Sequence, residues 1–156
     1  MDIQFPKVSV VVPCYNDEVY IQETIDSILR QTFKDFEVII VDDGSNQATK
    51  KKLASIQNDK IGILTQENMG LSAARNTGFK AAKGIYVLTI DSDDTLDASF
   101  LEKAISILDK DQNIGAVSSH CTIFTDNHKI IDYHRPKGGD ISNFLFDNNS
   151  VSFALI

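Results

Sequence analysis

The sequence contains no tryptophan, only two cysteines and three prolines, and no excess of positive charge. Two cysteines cannot build a disulfide framework. Cys14 and Cys121 sit in or beside apolar, strand-like runs and read as buried free thiols of a cytosolic protein. His120, His128 and His134 share no metal-ligand spacing with them, so no zinc site is expected. Lys and Arg number 15 against 22 Asp and Glu, a net charge of −7. That acidity argues against a nucleic-acid binder held by phosphate contacts, which needs a basic face. No apolar run approaches the ~18–20 residues of a membrane span. The opening Met1-Asp2-Ile3-Gln4-Phe5-Pro6 lacks a basic stretch followed by an apolar one, so no secretory leader is expected. Neither GxGxxG nor a P-loop is found. At 156 residues of ordinary composition, the chain suits a single domain over 1–156.

What is present alternates in period. Residues 8–13, 36–41, 61–65 and 85–90 are short apolar runs rich in β-branched side chains, as expected for strands of a buried parallel sheet. Between them, residues 18–31, 47–57 and 70–83 carry helical patterns, with Ile21, Ile25, Ile28 and Leu29 forming the clearest apolar stripe. Asn16 or Asp17 is placed to cap the first helix, and Leu53 and Ile56 point the second inward. A further helix is predicted over 98–110. The texture then changes: a strand over 114–124, a hairpin turn at 126–129 and a returning strand at 129–133. A loop at 137–140, a short helix at 141–146 and a strand-like run at 151–156 complete the reading. The expected fold is α/β, a mainly parallel sheet flanked by helices with antiparallel additions toward the C-terminus.

Ligands of open α/β sheets bind beyond the carboxyl ends of the strands, and here those ends are acidic. Strand one leads to Asp17 and Glu18, strand two to Asp42 and Asp43, strand four to Asp91, Asp93 and Asp94. Any one of them reads equally well as a helix cap or turn former. Gathered at one sheet edge, they would repel one another and raise their own pKa values. A hard cation with a phosphate ligand resolves that conflict, since Mg²⁺ takes one or two carboxylates plus phosphate oxygens. Gly44 permits a tight turn after strand two, and Gly70 close backbone approach to a ligand.

Four segments carry a more specific signal: residues 8–16 (VSVVVPCYN), 41–45 (VDDGS), 68–78 (NMGLSAARNTG) and 91–94 (DSDD), with Gln31-Thr32-Phe33 ahead of strand two. Together they resemble the nucleotide-binding half of family-2-type inverting glycosyltransferases, in that family's order and spacing. The resemblance implies a GT-A fold, a nucleotide-diphosphate sugar donor (most often a UDP-sugar), an acceptor hydroxyl on a saccharide or glycolipid, and Mn²⁺ or Mg²⁺. Carried onto this chain, it implies that Pro13, Tyr15 and Asn16 line the pocket for base and ribose. Asp43 would accept hydrogen bonds from the base, with Asp42 positioning the loop or ribose. Asn68, Gly70 and Arg75 would lie along the nucleotide, Arg75 facing a base carbonyl or diphosphate oxygen. Asp91 and Asp93 match the DXD motif, Asp93 as metal ligand and Asp91 on the ribose or the metal's water, with Asp94 as accessory. The setting it implies is bacterial cell-surface polysaccharide or glycolipid synthesis, in the cytoplasm or peripheral at the inner face of the membrane.

Rival readings remain in view. Asp91-Ser92-Asp93-Asp94-Thr95 also resembles the opening motif of haloacid-dehalogenase-type phosphatases, with Asp91 as nucleophile. That fold places the motif on its first strand, whereas here it follows the fourth. An EF-hand fails because Leu96 stands where glycine is required. A receiver-like module would carry its acidic pair after the first strand. A non-catalytic nucleotide-sugar-binding or partner module is the alternative to an enzyme. The carboxylate that deprotonates the acceptor lies, by the resemblance, downstream of the DXD motif in a context that Asp132, Asp140 and Asp147 do not match. The reading is therefore a donor-binding part, truncated before its base, with residues 151–156 expected to pair with another chain or stay poorly ordered.

Overall fold

The computed structural model describes residues 5–125, 127 and 129–135. Four parallel strands form the central sheet: β1 (Val8–Cys14), β2 (Phe36–Asp43), β3 (Ile61–Gln66) and β4 (Tyr86–Thr89), in the order β3-β2-β1-β4. The intervening helices are α1 (Ile21–Leu29), α2 (Gln47–Ala54) and α3 (Leu71–Ala81), and α4 (Phe100–Leu108) follows β4. A separate antiparallel pair, β5 (Cys121–Phe124) and β6 (Ile130–His134), comes last. Among the described residues no helix is long and apolar enough to cross a membrane.

Alternation along the strands sorts the core into two sides. Val8, Val10, Val12 and Cys14 of β1, with Val38 and Ile40 of β2, pack against Ile21, Ile25 and Ile28 of α1, Leu53 of α2, and Leu101, Ala104 and Leu108 of α4. Ile39 and Val41 of β2 face the other way and meet Ala74 of α3, with Leu64, Ala81 and Ala82 at the margin. Helix α3 lies very close to the sheet. A Cβ added at Gly78 would sit 2.2 Å from Cγ1 of Val11.

The element boundaries shift from expectation for local reasons. The first helix starts at Ile21 rather than 18, because Asp17 Oδ1 accepts from the Tyr20 amide in a turn ahead of it. The third starts after Gly70, whose φ of +87° is incompatible with a helical residue. Strand β2 runs longer than expected and includes Asp42 and Asp43, which pair with Thr65 and Gln66 of β3. The strand expected over 114–124 shrinks to β5, because its ladder with β6 ends at the pair Cys121↔His134 and leaves the preceding backbone without that partner. Positions 126 and 128 of the expected turn, the 137–140 loop, the 141–146 helix and the 151–156 strand lie outside the described residues.

The Gly78 contact yields a direct test. Gly78→Ala should destabilise the fold by about 1–3 kcal/mol in chemical denaturation, because helix and sheet must separate to admit the methyl group. Val11→Ala added to it should recover part of the loss. An unchanged denaturation midpoint in Gly78→Ala would show that the helix does not seat this closely.

Candidate functional site

Because β1, β2 and β4 run parallel, the chain leaves all three at one edge of the sheet. There the structure has a hollow of about 220 Å³ lined by Pro13, Cys14, Tyr15, Asp43, Leu71, Asp91, Ser92 and Asp93. Of the residues expected at the site, Pro13, Tyr15, Asp43, Asp91 and Asp93 therefore meet in its wall. Asn16, Asp42, Asn68, Gly70 and Arg75 do not line it; Asn16, Asp42, Gly70 and Arg75 bond instead to residues of its wall or of the turns beside it.

The turn after β2 shows how. Asp42 is buried, and its Oδ1 accepts from the Ser45 amide at 2.9 Å, which closes the turn. Gly44 takes φ +72°, and a Cβ there would stand 2.8 Å from the Asn68 backbone nitrogen. Glycine thus meets both a left-handed backbone and a close approach to the loop before α3. Asn16, itself left-handed at φ 54°, accepts from the Asn46 amide at 2.7 Å, and its own amide donates to Ser45 Oγ at 3.1 Å. The loops after β1 and β2 are locked together by these bonds.

Asp43 faces the hollow with its carboxylate already well supplied. Oδ1 accepts from Gln66 Nε2 at 2.7 Å and from the Met69 amide at 2.9 Å, and Oδ2 accepts from the Gly70 amide at 2.8 Å. A carboxylate has about four acceptor positions, which leaves roughly one for a ligand. Burial pushes this carboxyl up, but the bonds from Met69, Gln66 and Gly70 outweigh it and hold it below the usual range. Gln66 is fixed in turn, its Oε1 accepting from the Thr77 hydroxyl at 2.6 Å.

The third set follows β4. Arg75 of α3 donates from Nη2 to Asp91 Oδ1 at 2.6 Å, while its buried Nε has no partner among the described residues. Asp93 is exposed at the rim, and no described residue donates to its carboxylate. Beside it, burial pushes Asp94 up to about 6, with Asp93 and Asp91 adding like-charge repulsion. Asp17 and Glu18 do not join this group: Asp17 turns to Tyr20, and Glu18 accepts from the Thr49 hydroxyl at 2.8 Å. Cys14, although in the wall, is no thiolate; burial, aided by Asp17 and Asp42, pushes it up to about 12.

Asp93 also borders a second, larger groove of about 1090 Å³, which runs past Thr24, Leu96 and Phe100 to Ser118, Cys121 and His134. The two hollows thus share the open carboxylate of the DSDD segment. Among the described residues no three His, Cys, Asp or Glu side chains form a ready metal cage. Leu71, Ser92 and the Gln66 support were not foreseen. Leu71 and Ser92 lie inside the segments 68–78 and 91–94, but nothing in the local pattern marks Gln66 as the residue that reaches Asp43.

Comparisons with known proteins bear on the family and the fold. Among curated proteins, a glycosyltransferase of Streptococcus pneumoniae (GlyA) is 35% identical over 147 residues, which cover 93% of this chain and 21% of the relative. Among solved structures, Staphylococcus aureus TarS 1-349 in complex with UDP-GlcNAc superposes with a TM-score of 0.62 at 36% identity, over 67% of this chain and 31% of that one. The mannosyltransferase PcManGT of Pyrobaculum calidifontis, in complex with GDP-Man and Mn²⁺, gives 0.64 at 27% identity, over 79% of this chain and 37% of that one. This chain thus spans well under half the length of each, and it shares the GT-A architecture of the two solved structures. The match to haloacid-dehalogenase-type phosphatases is superseded. Residues 9–154 match the description of glycosyl transferase family 2, and the chain belongs to that family.

Proposed function

We propose that this chain binds the donor of a glycosyl transfer, a nucleotide-diphosphate sugar, in the hollow beyond β1, β2 and β4. The observation that carries the reading is Asp93, an open carboxylate at the rim beside Asp91 and the crowded Asp94. Mutual repulsion at this corner is relieved by a cation, and the chain offers two carboxylates rather than a cage. That donor set suits Mn²⁺ or Mg²⁺ completed by phosphate oxygens and water. Asp93 would hold the ion, with Asp91 helping to place it. Bound there, the ion would stabilise the negative charge that develops on the departing diphosphate.

The chain's own residues supply the rest. Tyr15 and Pro13 offer flat surface to the base and ribose, and Asp43 keeps roughly one acceptor position for a base N–H. Arg75, already aligned by Asp91, has further N–H donors for a diphosphate oxygen. A UDP-sugar is favoured because the neighbour with UDP-GlcNAc has the higher sequence identity, 36% against 27% for the one with GDP-Man. The acceptor is then a hydroxyl of a saccharide or glycolipid, and the setting cell-surface polysaccharide or glycolipid synthesis in bacteria. No described residue is assigned as the acceptor's base: Asp132 lies exposed on β6, and Asp140 and Asp147 are outside the described residues.

Titration calorimetry of UDP with and without Mn²⁺ tests the reading. Mn²⁺ should strengthen UDP binding, and Asp93→Asn should weaken the metal-dependent part at least about tenfold, the scale of one charged contact. UDP affinity indifferent to Mn²⁺ would sink the metal role.

Asp43 gives a pH signature. Its folded-state carboxyl lies below the usual 3.8, so it contributes stability above that value and loses it as pH falls toward the folded one. Thermal unfolding followed from about pH 6 to pH 3 should show a drop in wild type that is shallower in Asp43→Asn. That variant should also start lower at neutral pH, since its amide faces three N–H donors. Parallel pH profiles would show that Asp43 is not held as described.

A further inference from the structure

Helix α1 carries two buried stripes. One is the apolar stripe of Ile21, Ile25 and Ile28. The other is polar: Thr24, Ser27 and Gln31, all at most 1% exposed, spaced three and four apart and so aligned along the helix and its C-terminal end. Buried polar side chains persist where they find partners, and each of these finds at least one within residues 92–101. Thr24 Oγ1 donates to the Ser92 carbonyl at 2.6 Å. Ser27 Oγ donates to the Thr24 carbonyl at 2.7 Å and accepts from the Leu96 amide at 3.1 Å. Gln31 Nε2 donates to the Asp97 carbonyl at 2.7 Å, and its Oε1 accepts from the Leu101 amide at 3.0 Å.

Of these partners, Ser92, Leu96 and Asp97 belong to the irregular segment between β4 and α4, and Leu101 to the first turn of α4. The segment's buried backbone groups have no strand ladder to satisfy them and must find bonds elsewhere. Ser92 and Leu96 bracket Asp93, Asp94 and Thr95, so α1 grips the segment one residue before and three residues after the open carboxylate. We infer that Thr24, Ser27 and Gln31 are positioning residues that set the DSDD segment for ligand binding, acting through its backbone rather than touching the ligand. The inference rests on the donor-binding reading for what the segment binds, but not for how it is held.

The test compares Thr24→Val, which keeps the shape and removes the donor, with Thr24→Ser, which restores the hydroxyl. Ser9→Ala serves as control. Ser9 is equally buried and bonded, accepting from the Gly84 amide at 2.8 Å and donating to Glu37 at 2.6 Å, but it lies near the opposite end of β1. Two readouts are taken on the purified chain: the affinity for UDP with Mn²⁺ by calorimetry, and the hydrogen exchange of amides 92–97 without ligand. Thr24→Val should bind about tenfold more weakly, the usual effect of losing a group that orients a ligand-bearing one, and exchange faster at 92–97. Thr24→Ser should return both readouts close to wild type. Ser9→Ala should lower global stability while leaving both unchanged.

Wild-type affinity and exchange in Thr24→Val would overturn the inference. So would equal losses in Thr24→Val and Thr24→Ser, or a loss in Ser9→Ala matching that of Thr24→Val. Should the unsubstituted chain bind neither UDP nor Mn²⁺, the donor-binding reading falls by itself. The exchange data then decide the positioning role: faster exchange at 92–97 in Thr24→Val alone supports it, and unchanged exchange overturns it.

Discussion

Strand β1 is hydrogen-bonded to β2 along its whole length, from Val8↔Phe36 to Cys14↔Asp42, and to β4 from Val8↔Tyr86 to Val11↔Thr89. Every one of its seven residues is buried. A strand closed on both edges and both faces cannot slip by one residue without turning its whole apolar set around. The register of β1 therefore decides which residues of β2 and β4 end beside it. Everything at the site follows from that: Tyr15, Asp43 and Asp91 come from distant parts of the chain and meet because their strands end at the same edge.

Within that corner, residues of one chemical kind are given different work by the donors around them. Asp42 closes a turn, Asp43 is supplied by three N–H groups, Asp91 is paired with Arg75, and Asp93 is left open. Asp94 is half buried next to two like charges and holds its proton more tightly. The difference between a structural aspartate and one available to a ligand is thus a matter of nearby N–H groups, not of residue type. The polar stripe of α1 extends the same logic to backbone: a segment that leaves the ladder still needs its buried carbonyls and amides satisfied, and a neighbouring helix provides for them.

Much of this was legible beforehand. The four parallel strands, the helices between them and the acidic strand ends follow from period and composition, because a strand buried on both faces must be apolar throughout and a helix on one side must be striped. Boundaries were less legible, since they depend on partners: β5 is short because its ladder with β6 ends at Cys121, and β2 is long because β3 continues beside it to Gln66. The motif segments could not separate wall from support. Asn16 and Asp42 sit next to Tyr15 and Asp43 in the chain, yet they bond to the neighbouring turn instead of lining the hollow.

The amino-acid sequence by itself determined the fold class, the family and the set of carboxylates gathered at the strand ends, because those properties reside in local periodicity and in short runs of residues. Only the tertiary structure decided which aspartate stays open, that Gln66 reaches Asp43, and that Thr24, Ser27 and Gln31 grip the segment around Asp93. Those outcomes depend on hydrogen bonds between residues about 20 to 70 positions apart, whose partners no local pattern specifies until the sheet has set its register.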